Sequence, residues 1–254
     1  MVKALVIIPT YNEKENIANI IEAVFSVDGR LHLLIVDDGS PDGTAAIVKS
    51  IQSDHPDQLF LIERSGKLGL GTAYITGFKW GLERNYDFLF EMDADFSHNP
   101  NDLPRLLEAC QQTGVGMSVG SRYVKGGKLE NWPIDRIILS YGASIYVRLI
   151  TWMPVKDPTA GFVCYKKEAL QKLNLDKIKF VGYGFQVEMK FAVRSLGYKI
   201  KEVPITFTDR IAGTSKMNSD IVGEAALGVL KMKWQSFFGT YARPIPTTKS
   251  QESG

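Results

Sequence analysis

Asp93-Ala94-Asp95 closes the apolar run Phe88-Leu89-Phe90-Glu91-Met92. Along a strand, residues i and i+2 point to the same side, so both carboxylates would lie together. Two such groups repel unless a cation lies near them. Hard oxygen ligands suit Mg²⁺ or Mn²⁺, ions that commonly also bind substrate phosphates. The plainer alternative is a solvated turn, because Asp favours turns. A second acidic loop, Asp37-Asp38-Gly39-Ser40-Pro41-Asp42-Gly43-Thr44, follows another apolar run. Its carboxylates could accept hydrogen bonds from a base N–H or from ribose hydroxyls. Ser40 or Asp42 could equally serve as an ordinary turn and helix cap.

Gly66-Lys67-Leu68-Gly69-Leu70-Gly71-Thr72 leads into a helical pattern. Glycines let backbone approach a ligand closely, Lys67 adds positive charge, and a helix N-terminus attracts anions. The second half supplies arginines at loop positions: Arg122 in Gly120-Ser121-Arg122-Tyr123, Arg136 after Asn131-Trp132-Pro133, and Arg210 with Lys216 around Ile211-Ala212-Gly213-Thr214-Ser215. Arginine forks match phosphate oxygens. Each cation alone reads as a surface salt-bridge residue. Together with the acidic loops they suggest a site that binds phosphates through a metal and through arginines.

The elements that must carry these residues follow from hydrophobic periodicity. Apolar runs at 4–8, 33–36, 59–62, 88–92 and 116–120 suit buried strands. Helical spacing occupies 14–25, 44–53, 71–84, 102–112, 137–153, 183–196 and 219–238, with Gly126-Gly127 marking a mobile loop. Strand and helix alternate through the first half with short connections. That order implies an α/β fold, an open, mostly parallel sheet with helices on both faces. Ligands of such sheets sit at the carboxyl ends of the strands, where both acidic loops fall.

The 254 residues suit a single domain, expected over 1–242, with a polar, Pro-containing tail at 243–254 expected to be disordered. The 30 Lys+Arg against 28 Asp+Glu, a net +2, argue against nucleic acid as a partner. No P-loop occurs, and His32, His55 and His98 lack zinc-type spacing. Cys110 and Cys164 read as buried reduced thiols, which fits a cytoplasmic compartment. The N-terminal apolar run is too short for a signal peptide.

Taken together, these stretches resemble the inverting, metal-dependent glycosyltransferases of the GT-A fold, and within them the polyprenyl (dolichyl) phosphate mannosyltransferases. The matching segments are Ile8-Pro9-Thr10-Tyr11-Asn12-Glu13-Lys14-Glu15-Asn16, the 36–44 and 69–74 loops, Met92-Asp93-Ala94-Asp95-Phe96-Ser97-His98, Gly120-Ser121-Arg122-Tyr123, Asn131-Trp132-Pro133-Ile134-Asp135-Arg136, Asp157-Pro158-Thr159-Ala160-Gly161-Phe162 and Gly184-Phe185-Gln186-Val187-Glu188. The first is shared by many glycosyltransferases and the later ones are specific to the polyprenyl phosphate branch. The resemblance implies transfer of mannose from GDP-mannose to a polyprenyl phosphate with inversion, dependent on Mg²⁺ or Mn²⁺. It implies nucleotide contacts at Pro9, Tyr11, Glu13, Asp38 and Lys67. Asp93 and Asp95 would hold the metal and donor diphosphate, with Ser97 where relatives place a Gln. Arg122, Arg136 and Ser140 would hold the acceptor phosphate, and Arg210 and Lys216 would contact the donor diphosphate from a mobile loop. Asp157 falls where enzymes with alcohol acceptors place a base. A lipid phosphate is already ionised near neutral pH, so Asp157 is expected to be structural instead.

No run of 18 apolar residues occurs, although the implied acceptor is a lipid. Residues 137–153, with Tyr141, Tyr146, Arg148 and Trp152, and residues 219–238 could each lie in a membrane interface or pack as core helices. Peripheral association with the cytoplasmic face of a membrane, directly or through a small membrane subunit, is the expectation. The competing readings are UDP-glucose or another sugar nucleotide as donor, a sugar nucleotidyltransferase, and a non-catalytic nucleotide-sugar binder. A nucleotidyltransferase would want a glycine-rich loop after the first strand, where Pro9-Thr10-Tyr11-Asn12-Glu13 stands.

Overall fold

The computed structural model describes residues 2–182, 184–209, 219–237 and 241–243, with backbone alone for 219–226. Strand and helix alternate first as β1 (Ala4–Thr10), α1 (Ile17–Val27), β2 (Leu31–Asp37), α2 (Thr44–Gln52), β3 (Leu59–Glu63), α3 (Leu70–Glu83) and β4 (Phe88–Glu91). Then come α4 (Leu103–Gln111), β5 (Val115–Ser121), β6 (Lys128–Glu130), α5 (Ile134–Thr151), β7 (Val163–Lys166), α6 (Lys167–Lys172), α7 (Gly184–Ser195), β8 (Lys199–Pro204), β9 (Thr206–Thr208) and α8 (Ser219–Gln235). Seven strands form one sheet in the order β3-β2-β1-β4-β7-β5-β8, and β6 pairs with β9 in a small second sheet. Only β7 runs antiparallel to its neighbours β4 and β5 in the main sheet.

The period of two in each strand divides the core. Ala4, Val6 and Ile8 face α1, α2 and α4 in one apolar cluster. Leu5 and Ile7 face α3 and α7 in the other. With both faces covered, the central strands are apolar throughout, which is why they stood out in the sequence. β7 and β8 were not foreseen. β7 has four residues, and β8, at the sheet edge, alternates exposed and half-buried positions along Lys199-Ile200-Lys201-Glu202. Neither presents a continuous apolar run.

Pro9 helps to open the crevice between β1 and β4. The Thr10 carbonyl accepts from Asp38 N–H on the β2 side, so Pro9, one residue earlier, faces β4. It has no N–H to give, and the β1–β4 register ends at Ile7↔Glu91. The chain also reverses its direction of winding here, because β2 and β3 lie to one side of β1 and β4 to the other. Ligands of open α/β sheets bind at such a switch point.

Candidate active site

The carboxyl ends of β1, β2, β4 and β5, with the amino end of antiparallel β7, bring most of the expected residues to one edge of the sheet. Asp37 and Asp38 take different roles there. Asp37 is buried and accepts from Thr10 Oγ1 at 2.8 Å, Ser40 N at 2.9 Å and Ser40 Oγ at 2.6 Å, so it fixes the turn. Asp38 accepts from Arg64 Nε at 2.6 Å and Leu68 N at 3.2 Å. Arg64 also reaches Thr72 Oγ1 at 2.8 Å and the Gly69 carbonyl at 3.3 Å. This buried ion pair ties the acidic loop to the glycine loop, and Arg64 escaped notice because it follows a strand with no motif around it. Asp42 accepts from Lys14 N and Thr44 N, both at 3.0 Å, confirming its turn role. Tyr11 and Lys67 meet across the crevice, with Nζ 5.1 Å from the ring centroid. Glu13 accepts from Asn16 Nδ2 at 3.0 Å while its N–H donates to Thr44 Oγ1 at 3.0 Å.

Gly71 opens α3 where no side chain would fit. A Cβ there would stand 2.7 Å from the Phe180 carbonyl oxygen. Its N–H donates to the Val181 carbonyl at 2.9 Å. Glu188, buried on α7, accepts from Lys179 N at 2.8 Å and Phe180 N at 2.9 Å and so holds that facing loop.

The loop after β4 is tightly specified. Phe96 adopts φ +60°, a strained value for a bulky residue. Ser97 N donates to Asp95 Oδ1 at 3.1 Å, and Tyr74 Oη lies 3.5 Å from Asp93 Oδ1. His98 Nδ1 accepts from Asp93 N at 3.2 Å, which places its remaining proton on Nε2. Nδ1 is also 3.8 Å from Asp93 Oδ2, an ion-pair distance if the ring were charged. Burial pushes its pKa down to about 4, so the contact is that of a neutral imidazole.

Beneath Asp93 lies a polar cluster that the sequence did not announce. Glu91 is fully buried and accepts from Tyr165 Oη at 2.8 Å and Gln186 Nε2 at 2.7 Å. Lys190, also fully buried, donates to the Ala160 carbonyl at 2.7 Å and Gln186 Oε1 at 3.3 Å. Burial lifts the Glu91 pKa to about 7 and lowers that of Lys190 to about 8, while each group's charge draws the other back. Gln186 thus bridges an acid and a base beneath the site.

The residues expected to hold an acceptor phosphate follow β5. The Arg122 side chain is 8% exposed, and the residue donates from Nε and its backbone N to Asp157 Oδ2 at 2.7 and 2.9 Å, and from Nη2 to Asp157 Oδ1 at 2.6 Å. Burial opposes its charge, but Asp157 outweighs that and raises its pKa. Asp157 is fully buried, and its N–H donates to Glu202 at 3.0 Å. Both Asp157 oxygens are thus engaged by Arg122. Tyr123 Oη donates to Ser140 Oγ at 2.8 Å, which links Arg122's neighbour to α5. Arg136 lies 3.8 Å from the Trp132 ring centroid and pairs with Asp209 at 2.9 Å. Phe207 joins these parts: its ring lies 5.4 Å from that of His98, 5.5 Å from that of Trp132 and 5.4 Å from the Arg122 guanidinium. It escaped notice because a Phe in Thr206-Phe207-Thr208 reads as one alternating strand residue. Arg210 and Lys216 lie outside the described residues, as does the tail from 244.

Among the described residues, no group of three or more His, Cys, Asp or Glu side chains could hold a metal ion. Two carboxylates at 93 and 95 nevertheless fit Mg²⁺ or Mn²⁺, which commonly take one or two protein carboxylates and complete their shell with water and substrate oxygens.

The doubly wound sheet thus carries acidic residues at its switch point, with Arg122 and Arg136 beyond them. The glycosyl transferase family 2 pattern matches residues 5–173, and the chain belongs to that family of glycosyltransferases. It is 44% identical over 227 residues to the polyprenol monophosphomannose synthase of Mycolicibacterium smegmatis, covering 89% of this chain and 85% of that one. It is 45% identical over 237 residues to the undecaprenyl-phosphate mannosyltransferase of Micrococcus luteus, covering 92% and 96%. Its fold matches the mannosyltransferase PcManGT of Pyrobaculum calidifontis, solved with GDP-Man and Mn²⁺, at a TM-score of 0.59 and 18% identity, covering 95% of this chain and 66% of that one. The fold is therefore GT-A, as the sequence implied.

Proposed function

We propose that this glycosyltransferase moves mannose from GDP-mannose to the phosphate of a polyprenyl lipid, with inversion at the anomeric carbon. The observation that carries the reading is α5. It brings Arg136 and Ser140, one helical turn apart, alongside Arg122 and Tyr123. The same helix exposes Ile134, Ile138, Tyr141, Ile145, Leu149 and Trp152 at spacings of three and four. A phosphate grip backed by an apolar stripe suits a lipid phosphate. The names borne by the curated relatives support the same substrates.

In this reading Tyr11, Asp38 and Lys67 receive the nucleotide, with Pro9 and Glu13 shaping the crevice floor. Asp93 and Asp95 hold a Mg²⁺ or Mn²⁺ ion, with Ser97 beside them. When bound, that ion supplies positive charge to the leaving diphosphate. Arg122 and Arg136 hold the acceptor phosphate in line with the anomeric carbon. An ionised phosphate oxygen forms the new bond to that carbon, and the bond to the diphosphate oxygen breaks with its electron pair leaving on GDP. No proton has to be removed from the nucleophile. The burial of Asp157 and the engagement of both its oxygens with Arg122 support this, since the carboxylate there is already occupied. Arg210 and Lys216 are assigned to the departing diphosphate.

No helix among the described residues is long and apolar enough to cross a membrane. α8 exposes a second stripe, Leu227, Leu230, Trp234 and Phe237, and packs beside α5. Lys233 Nζ lies 4.0 Å from the Trp152 ring centroid and 5.4 Å from that of Phe237, which joins the two stripes. The paired stripes support direct peripheral docking on a bilayer, with Lys233 snorkelling toward headgroups. Incubation with Mn²⁺, a polyprenyl phosphate and a panel of labelled sugar nucleotides tests the function. Label extracted into lipid from GDP-mannose is the expected result. Label from UDP-glucose alone would replace the donor, and none from any donor would overturn the reading.

A further inference from the structure

Each acceptor-side arginine has a carboxylate partner. Asp157 engages Arg122 through Nε and Nη2. Arg136 is held differently. Its Nη1 donates to both oxygens of Asp209, each at 2.9 Å. The Trp132 ring lies against its face at 3.8 Å. The carboxylate therefore restrains the guanidinium within its plane, and the indole restrains it across the plane. The bonds to Asp209 use Nη1 alone, so the Nε–Nη2 edge remains for a phosphate.

Asp209 itself is placed by the small second sheet. Lys128–Glu130 pairs in parallel with Thr206–Thr208, and Asp209 N donates to the Glu130 carbonyl at 3.1 Å. Two residues beyond Glu130 stands Trp132, whose ring meets Phe207 of the other strand edge-on at 5.5 Å. The β6–β9 pair thus delivers both restraints, Asp209 from one strand and Trp132 from the other. A mere surface ion pair would not require a dedicated sheet and an aromatic floor. At 29% and 28% exposure, Arg136 and Asp209 are also more sheltered than a solvated pair.

We propose that Asp209 is a positioning residue for the acceptor phosphate: it fixes the Arg136 guanidinium so that its Nε–Nη2 edge grips the phosphate oxygens. This rests on the role given above to Arg136 and adds the residue that makes it effective. A freely rotating arginine must lose side-chain freedom on binding, whereas one held on two sides has already lost it.

The test is direct binding of farnesyl phosphate, followed by calorimetry, to wild type, Asp209→Ala, Asp209→Asn, Arg136→Ala and the Arg136→Ala/Asp209→Ala double variant. Donor KM and thermal midpoints are recorded alongside. Asp209→Ala is expected to weaken acceptor binding about tenfold, in keeping with one hydrogen bond to a charged group. Donor KM should hold. Asp209→Asn, which keeps an acceptor oxygen, should fall between wild type and Asp209→Ala. In the Arg136→Ala background, Asp209→Ala should cost nothing more, because residues acting as a unit are not additive. Unchanged binding in Asp209→Ala would overturn the assignment, as would tighter binding, which would make Asp209 a competitor of the phosphate. Full additivity in the double variant would overturn it as well. Absence of binding in wild type would overturn the acceptor reading itself, a failure distinct from one seen only in the variants.

Discussion

Asp37, Asp38, Asp93, Asp95 and Asp157 look alike in a sequence, and their neighbours separate them. Asp37 is engaged by Thr10 and Ser40, Asp38 by Arg64, and Asp157 by Arg122. Asp93 keeps 40% of its side chain exposed at the crevice. Asp157→Ala removes the partner of a buried guanidinium and should cost about 3–5 kcal/mol of folding stability, with Asp157→Asn costing less. Acceptor KM should rise in both, because Arg122 loses its orientation. The acid limb of the kcat/KM profile should stay, since no base has been removed. Urea midpoints, acceptor KM and that profile, measured together, decide the matter. A collapse of kcat with acceptor KM and the urea midpoint unchanged would make Asp157 a base. Asp95→Asn, by contrast, should lower turnover on the order of a hundredfold or more, through loss of charge at the diphosphate.

At the scale of elements, α5 reverses the usual arrangement of a surface helix. Its residues Ser144, Val147 and Thr151 are buried, while Ile134, Ile138, Leu139, Tyr141, Ile145 and Leu149 face outward. A stripe of this kind costs solubility unless something covers it. Leu149→Ser with Trp152→Ser should weaken partition onto anionic vesicles by more than tenfold, since burying each large apolar side chain is worth about 1.5–3 kcal/mol. Vesicle flotation measures it. Turnover of farnesyl phosphate in solution should stay, as neither residue touches the phosphate grip. Unaltered flotation would move the membrane contact elsewhere. The periodicity that foretold helix 137–153 could not say which side faced out, because core and interface helices share one composition.

Across the whole molecule, the net charge of +2 accompanies local pairing of opposite charges, Asp38 with Arg64, Asp157 with Arg122 and Asp209 with Arg136. The opposite end of the sheet supplies a stability prediction free of catalysis. His32 on β2 lies 2.6 Å from Tyr86 Oη, and burial, then the Lys3 charge, lower its pKa below the ordinary 6.5. The unfolded chain takes up that proton first as the pH falls. The contribution of His32 is therefore fully present above about pH 6.5 and declines below it, toward its lower folded value. His32→Gln should flatten the fall of the melting temperature between about pH 7 and 5. An equally steep fall in the variant would assign the acid sensitivity to other groups.

The sequence by itself determined the central strands, the acidic strand ends, the glycine loop and the family. The strands follow from a local rule: a strand buried on both faces must be apolar throughout. The strand geometry expected for Asp93 and Asp95 did not hold, since β4 ends at Glu91 and both acids lie in the loop beyond it. Tertiary structure decided which acids are engaged, through Arg64, Arg122 and Arg136. It also assembled Glu91, Gln186 and Lys190 beneath Asp93, and brought Asp209 and Trp132 to Arg136. Those partners lie 26 to 95 residues apart for the Arg64–Asp38, Arg122–Asp157, Arg136–Asp209 and Glu91–Gln186 contacts. Pairing over such distances leaves no periodic trace in the chain, because strand topology sets it, and local propensity does not.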